Sequence, residues 1–218
     1  MTTWLVDAIL FDLDGTLVDS TASVERSWRQ LADKIGRPFP EIEPYIHGIP
    51  VAQVMAMLEP EMSAERVDEL RVFMVESESA DTVDVVAQPG AHEVLAALPR
   101  DRVAIVTSGG VKLSSARIAA AGLGRPDLVV TADDVTIGKP DPAPYLMGAK
   151  LLGFPPERCL VVEDAPPGVE SARAAGCPVV GVLTTHASLD APSVRSLADV
   201  QFTPVDGGIE VSIPDRTG

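Results

Sequence analysis

Asp12 and Asp14 stand two residues apart in Phe11-Asp12-Leu13-Asp14-Gly15-Thr16-Leu17, directly after the apolar run Asp7-Ala8-Ile9-Leu10-Phe11. Alternate side chains of a strand share a face, so both carboxylates project together if the extended geometry persists. Two such carboxylates repel each other, and a divalent cation relieves the repulsion. The plainer alternative is a solvated turn, since Asp and Gly are common after strands. A second candidate is Val106-Thr107-Ser108-Gly109-Gly110, where a hydroxyl and glycine N–H groups before a helix can grip a phosphate. Taken by itself, that segment reads as readily as a Ser/Gly turn with an N-cap. A third is Gly138-Lys139-Pro140-Asp141-Pro142-Ala143-Pro144, whose prolines stiffen the backbone around a lysine able to neutralise a phosphate or hold a carboxylate. Against it stands a surface lysine in a proline loop. The fourth is Val161-Val162-Glu163-Asp164, where adjacent acids follow a buried apolar run and are costly unless paired or metal-bound.

The elements that must position these residues are legible from the pattern. Short apolar runs at 7–11, 103–106, 128–130, 159–162 and 179–183 read as strands buried on both faces of a parallel sheet. Ala-rich segments at 91–98, 111–121, 143–152 and 169–175 have helical spacing, with Gly122, Gly153 and Gly176 where helix ends belong. This alternation predicts an α/β fold, a Rossmann-like doubly wound parallel sheet. All four candidate segments fall at or just beyond strand carboxyl ends, where ligands of such sheets bind. That shared placement favours the chemical reading of each.

One stretch breaks the alternation. Residues 18–86 contain no convincing buried strand. Trp28, Leu31 and Ile35 mark one helix face there, and Val51, Val54, Met55 and Leu58 another. Five prolines, Pro38, Pro40, Pro44, Pro50 and Pro60, chop the stretch into short helices. The expected organisation is therefore a core of residues 1–17 and 87–218 with a helical cap of residues 18–86 inserted. Near the end, Ile209-Glu210-Val211-Ser212-Ile213 alternates and is expected to add an edge strand.

Composition narrows the partners. With 17 Lys and Arg against 32 Asp and Glu, the 218-residue chain carries a formal charge of −15, which repels nucleic acid and anionic membranes. An anionic small substrate then needs local help from a metal or a lysine. Cys159 and Cys177, the only cysteines, sit in apolar surroundings and read as buried small hydrophobes. The N-terminus has no basic start and no apolar stretch is long enough to span a bilayer, so a cytoplasmic chain is expected.

Together, in this order, the four segments resemble the haloacid dehalogenase-like superfamily of phosphohydrolases. Asp12 through Thr16 matches its first motif, Thr107 its second, Lys139 its lysine, and Glu163 with Asp164 its terminal acidic pair. The resemblance covers nearly the whole chain, in the spacing of the group with a helical cap after the first motif. Within the superfamily the chain looks most similar to phosphatases of glycerol phosphate and 2-deoxyglucose 6-phosphate. Thr107-Ser108-Gly109, Gly138 through Tyr145, Glu163 through Gly168 and Leu183-Thr184-Thr185-His186 carry that likeness.

The resemblance implies a Mg²⁺-dependent phosphatase of a small phosphorylated metabolite, a sugar or polyol phosphate, acting as a monomer. It makes Asp12 the nucleophile and Asp14 the acid and base. Thr107, Lys139 and the backbone N–H groups of Leu13 and Ser108 bind phosphate. Mg²⁺ is held by Asp12, the backbone carbonyl of Asp14 and Asp164, with Glu163 either a ligand or a support for one. Trp28, Arg29, His47 and Gly48 are candidate cap contacts, against a plainer reading with Trp28 in the cap core and Arg29 solvated. A β-phosphoglucomutase shares these motifs, but Val24 stands where its histidine belongs, twelve residues beyond Asp12. A phosphonoacetaldehyde hydrolase needs a cap lysine in matching context, and Lys34 has none. The remaining alternative is a catalytically silent binding module, which loss of Asp12, Asp14, Lys139 or Asp164 would have favoured.

Overall fold

A computed structural model describes residues 1–46, 49–124 and 127–215. In chain order its strands are β1 (Thr2–Val6), β2 (Ala8–Phe11), β3 (Val18–Asp19), β4 (Val86–Ala87), β5 (Val103–Val106), β6 (Leu128–Val130), β7 (Cys159–Glu163), β8 (Val179–Val182), β9 (Ser193–Val194), β10 (Gln201–Val205) and β11 (Gly208–Ile213). The helices are α1 (Thr21–Ile35), α2 (Phe39–Ile42), α3 (Val51–Leu58), α4 (Ala64–Ala80), α5 (Ala91–Ala97), α6 (Val111–Ala120), α7 (Ala143–Leu152) and α8 (Pro166–Ala174).

Six strands form one parallel sheet in the order β6-β5-β2-β7-β8-β9. Its strands are continuous apolar runs because both faces are covered. Ile9 and Phe11 of β2 pack into one cluster with Val94 and Ile118, while Ala8 and Leu10 pack into another with Tyr145, Ala149 and Val169. The winding starts at β2, runs outward through β5 and β6, then returns to the other side of β2 at β7. That reversal opens a crevice at the carboxyl ends of β2 and β7. This is the Rossmann-like α/β architecture that the alternation predicts, and the five apolar runs supply five of the six strands. The sixth, β9, has two residues, too few to leave a pattern.

The carboxyl-terminal segment departs from expectation. β11 is the middle strand of a separate antiparallel sheet, β1-β11-β10, and not an edge. Its inward residues Ile209, Val211 and Ile213 join the cluster beneath the main sheet, where Phe202 lies 5.8 Å from Phe11 between ring centroids. The partner β1 lacked any signal of its own beside β2, from which only Asp7 divides it.

Between β3 and β4, which pair as a short antiparallel ribbon, the chain is helical. Pro38 and Pro50 stand immediately before α2 and α3, where a missing N–H removes no helical bond. Trp28, Leu31, Val54, Met55, Leu70 and Met74 close a third apolar cluster that Ile35, Val51 and Leu58 flank. Arg26 of α1 braces the returning strand through Asp81, with Nε–Oδ2 at 2.6 Å, and through the Val83 carbonyl at 2.6 Å. Among the described residues no helix is long and apolar enough to cross a membrane.

Candidate active site

Asp12 directly follows β2, and its N–H still bonds the Val162 carbonyl of β7 at 3.0 Å. The chain then leaves the sheet. Gly15 N–H bonds the Val18 carbonyl at 2.8 Å, and the Leu17 and Val18 N–H groups return to the Leu13 carbonyl at 2.9 Å. The extended geometry therefore ends after Asp12. Asp12 and Asp14 line one cavity of about 320 Å³ but take different partners.

Asp12 faces Lys139. The lysine Nζ lies 2.6 Å from Asp12 Oδ1, 2.7 Å from Glu163 Oε1 and 3.0 Å from the Val106 carbonyl. Glu163 ends β7 and is 1% exposed. It also accepts from the Tyr145 hydroxyl at 3.0 Å and from the N–H groups of Asp164 and Ala165 at 2.8 and 2.9 Å. Gly168 leaves room for it: a Cβ there would sit 1.6 Å from Glu163 Oε1. Asp164 is held by Thr16, which donates to Oδ1 at 3.2 Å, and by Thr185, which donates to Oδ2. Gly15, at φ +87°, passes so close that a Cβ would lie 2.1 Å from Asp164 Oδ2. The Asp-x-Asp-Gly-Thr spacing thus packs a turn against the second acidic pair.

Negative charge predominates in this cluster. Asp12, Glu163 and Asp164 can each bring a carboxylate oxygen within 4.8 Å of the others, and all three are buried. Lys139 is the one cation among the described residues that reaches them. Burial pushes the Asp12 carboxyl well above its usual range; Lys139 opposes this, and the Glu163 and Asp164 charges add to it. Burial first, and then the Glu163 charge, raises Asp164 to about 7. Burial pulls Lys139 down, but Asp12 and Glu163 outweigh it and hold the ammonium well above its ordinary value. A surplus of buried negative charge, presented by hard oxygen donors, fits Mg²⁺.

The remaining expected residues fall around the same cavity. Thr107, buried at the end of β5, accepts from the Gly109 N–H at 3.0 Å, and Ser108 is exposed at the cavity wall. The Leu13 side chain is buried in the core, so its backbone is what it can offer the site. Trp28 belongs to the helical cluster and also lines the cavity, while Arg29 lies outside it, paired with Glu25 and 3.9 Å over the Phe39 ring. Lys34 stands over Phe73, away from the cavity. His47 and Gly48 lie outside the described residues.

Several polar groups at the cavity carried no motif. Arg117 of α6, 4% exposed, reaches Asp14 Oδ2 at 2.6 Å and also pairs with Glu78 of α4. Ser20 donates to the other Asp14 oxygen at 2.9 Å. Nothing in the sequence sets Arg117 apart from Lys112, the other charge of α6.

Residues 6–176 match the profile of the haloacid dehalogenase-like hydrolases. Hexitol phosphatase A of Escherichia coli (strain K12) is 41% identical over 193 residues, which cover 86% of this chain and 87% of that protein. Glycerol-1-phosphate phosphohydrolase 1 of Saccharomyces cerevisiae is 34% identical over 194 residues, covering 83% of this chain and 76% of that one. A solved hydrolase from Pseudomonas syringae superposes with a TM-score of 0.72 at 28% identity, over 85% of this chain and 94% of that one.

Proposed function

Because the chain belongs to the haloacid dehalogenase-like hydrolases and is a phosphoric monoester hydrolase among them, we propose that it dephosphorylates small sugar or polyol phosphates through a phosphoryl group carried on Asp12. The observation that carries this reading is the Asp12–Lys139–Glu163 chain beside Asp164: a buried carboxylate at a strand end that lines the cavity and is held by a lysine. The named relatives act on hexitol and glycerol phosphates, which supports a neutral, hydroxylated leaving group.

Mg²⁺, held by Asp12, Asp164 and the backbone carbonyl of Asp14, supplies when bound the positive charge that lets an anionic ester approach an anionic nucleophile. Glu163 already accepts four hydrogen bonds, so its part is to fix Lys139 rather than to bind the ion. Lys139 favours the ionised form of Asp12 and opposes the burial that raises its carboxyl. Thr107, with the N–H groups of Leu13 and Ser108, orients the non-bridging phosphate oxygens.

The Asp12 carboxylate attacks phosphorus, the ester P–O bond breaks, and the departing oxygen takes a proton from Asp14. Asp14, now ionised, accepts a proton from a water whose oxygen attacks the same phosphorus. The bond from Asp12 to phosphorus breaks, orthophosphate leaves, and both side chains are restored. Residues 18–86 act as a cap over the leaving group, presenting Val24, Trp28, Ile46, Ile49, Pro50 and Val51 to the cavity.

Phosphate release from glycerol phosphates, hexitol and hexose 6-phosphates, phosphoglycolate and β-glucose 1-phosphate, with and without Mg²⁺, tests the reading. We expect release that needs both Mg²⁺ and Asp12, with Asp12→Asn folded and inactive. Turnover retained by Asp12→Asn would sink the nucleophile assignment. Silence on every ester would sink the phosphatase reading.

A further inference from the structure

Arg117 is an expensive residue to bury. Its guanidinium sits between Asp14, from the turn after β2, and Glu78, from the last turns of α4, so the trio is partly or wholly withdrawn from water. Its Nε has no hydrogen-bond partner among the described residues. An apolar side chain of similar volume would serve stability as well or better. What the fork achieves instead is geometric. Nη1 holds Asp14 Oδ2 at 2.6 Å while the Ser20 hydroxyl holds Oδ1 at 2.9 Å, so both carboxylate oxygens have a set direction. The two anchors come from opposite sides, Arg117 from the core helix α6 and Ser20 from the start of the helical insert. Glu78 adds a third constraint, because it fixes the far side of the fork to α4. Arg117, Glu78, Ser20 and Asp14 all line the cavity, beside the space left for the leaving group.

We propose that Arg117 is a positioning residue that aims the Asp14 carboxyl at the leaving-group oxygen, and that Glu78 makes this aim depend on α4 lying over the site. The inference rests on Asp14 being the acid and base of the proposed phosphatase. Misplacing a catalytic group by about 1 Å costs on the order of 100-fold, so a fixed aim is worth a buried charge. The neighbouring Lys112–Glu76 pair joins the same two helices but is exposed, and exposed pairs of this kind contribute little.

The test exploits leaving groups. Glycerol phosphate must lose an alkoxide and needs the proton from Asp14, whereas p-nitrophenyl phosphate releases a stable anion that needs none. The value of kcat/KM covers the steps up to leaving-group departure, and the ratio of the two substrates within one preparation is independent of the fraction folded. General acid catalysis contributes roughly 10²–10⁴-fold, so Arg117→Met should lower kcat/KM for glycerol phosphate about 30-fold and for p-nitrophenyl phosphate by about threefold at most. Its kcat on the nitrophenyl ester should also fall, with a burst of nitrophenolate, because Asp14 must still activate water. Arg117→Lys, which can reach Asp14 but not bridge, should recover part of the ratio. Glu78→Gln should lower the ratio less than Arg117→Met, and the double variant should be no worse than Arg117→Met alone. A ratio unchanged in Arg117→Met overturns the positioning role, and additive losses in the double variant overturn the link to α4. Absence of phosphate release by the unaltered protein from either ester would instead overturn the phosphatase reading.

Discussion

The floor of the cavity and its cap-side wall are built by different rules. On the floor, Asp12, Glu163 and Asp164 and the side chain of Lys139 are buried, and each has a partner from another strand end or loop. The wall is mostly aliphatic and aromatic, drawn from α1, α3 and the turn before α3, with Glu78 and the Ser20 and Thr21 hydroxyls as its polar points. Charge that must act on phosphorus is fixed before any substrate arrives. In the proposed reaction most cap-side groups that would meet the leaving group are apolar, and a contact of that kind discriminates by shape rather than by a fixed hydrogen bond. Chemistry and selection are thus separable in space, and substitutions on the two sides should read out differently.

The largest effect should come from the floor. Lys139→Met leaves Asp12 and Glu163 buried side by side with their shared cation gone. Losing one partner of a buried pair destabilises by about 3–5 kcal/mol, and losing one electrostatic stabiliser of phosphoryl transfer lowers kcat on the order of 100–1,000-fold. Urea unfolding and steady-state kinetics on one preparation check both. The decisive feature is uniformity: every substrate should lose by the same factor. A loss confined to some leaving groups would break the division between floor and wall.

A smaller effect concerns protons on the floor. Burial and the Glu163 charge raise Asp164 to about 7, so the folded chain holds that proton more tightly than the unfolded chain does. For a carboxyl raised in this way, stability is full at low pH and declines as pH rises towards about 7. In the proposed site Mg²⁺ would have to displace the same proton, so its apparent affinity should fall by at least about tenfold between pH 8 and pH 6. Calorimetric titration with Mg²⁺ at the two values checks this, and urea midpoints of chelated protein should decline over the same rise in pH. Affinity flat across that range would mean that Asp164 already releases its proton in the metal-free protein.

The same division explains what the sequence made legible. Floor residues sit in contiguous motifs because each strand end delivers its side chains locally. Asp12 with Asp14, Thr107, Lys139 and Glu163 with Asp164 could therefore be recognised before any fold was known, and apolar runs located five strands of the main sheet. The antiparallel sheet went unread because β1 and β11 are joined only by packing across the whole chain length, with no local signature of pairing. Arg117 and Glu78 were equally silent. Each shares its helix with other charged residues, and only the meeting of α4 with α6 singles them out as a buried pair. Wall residues such as Val24 and Ile49 carry no chemical signal at all, since an apolar residue facing a cavity looks like one facing a core.

The smallest effect belongs to that wall. Val24 of α1 is half-buried, lines the cavity and packs against the helical cluster. Val24→Ala removes two methyl groups from the surface that meets the leaving group and touches none of the charged groups on the floor. Differences of one methylene in an apolar pocket are worth about 1–3 kcal/mol at most, so a partly exposed position should shift the kcat/KM ratio of a hexitol phosphate over glycerol phosphate by about threefold, in favour of the larger ester. The rate of dephosphorylation of Asp12 should stay as it is, because that step no longer contains the leaving group. Single-turnover kinetics separates the two quantities. Equal changes for both esters would show that the wall also shapes the floor, and the separation would then hold for Lys139 and Asp164 but not for the cap.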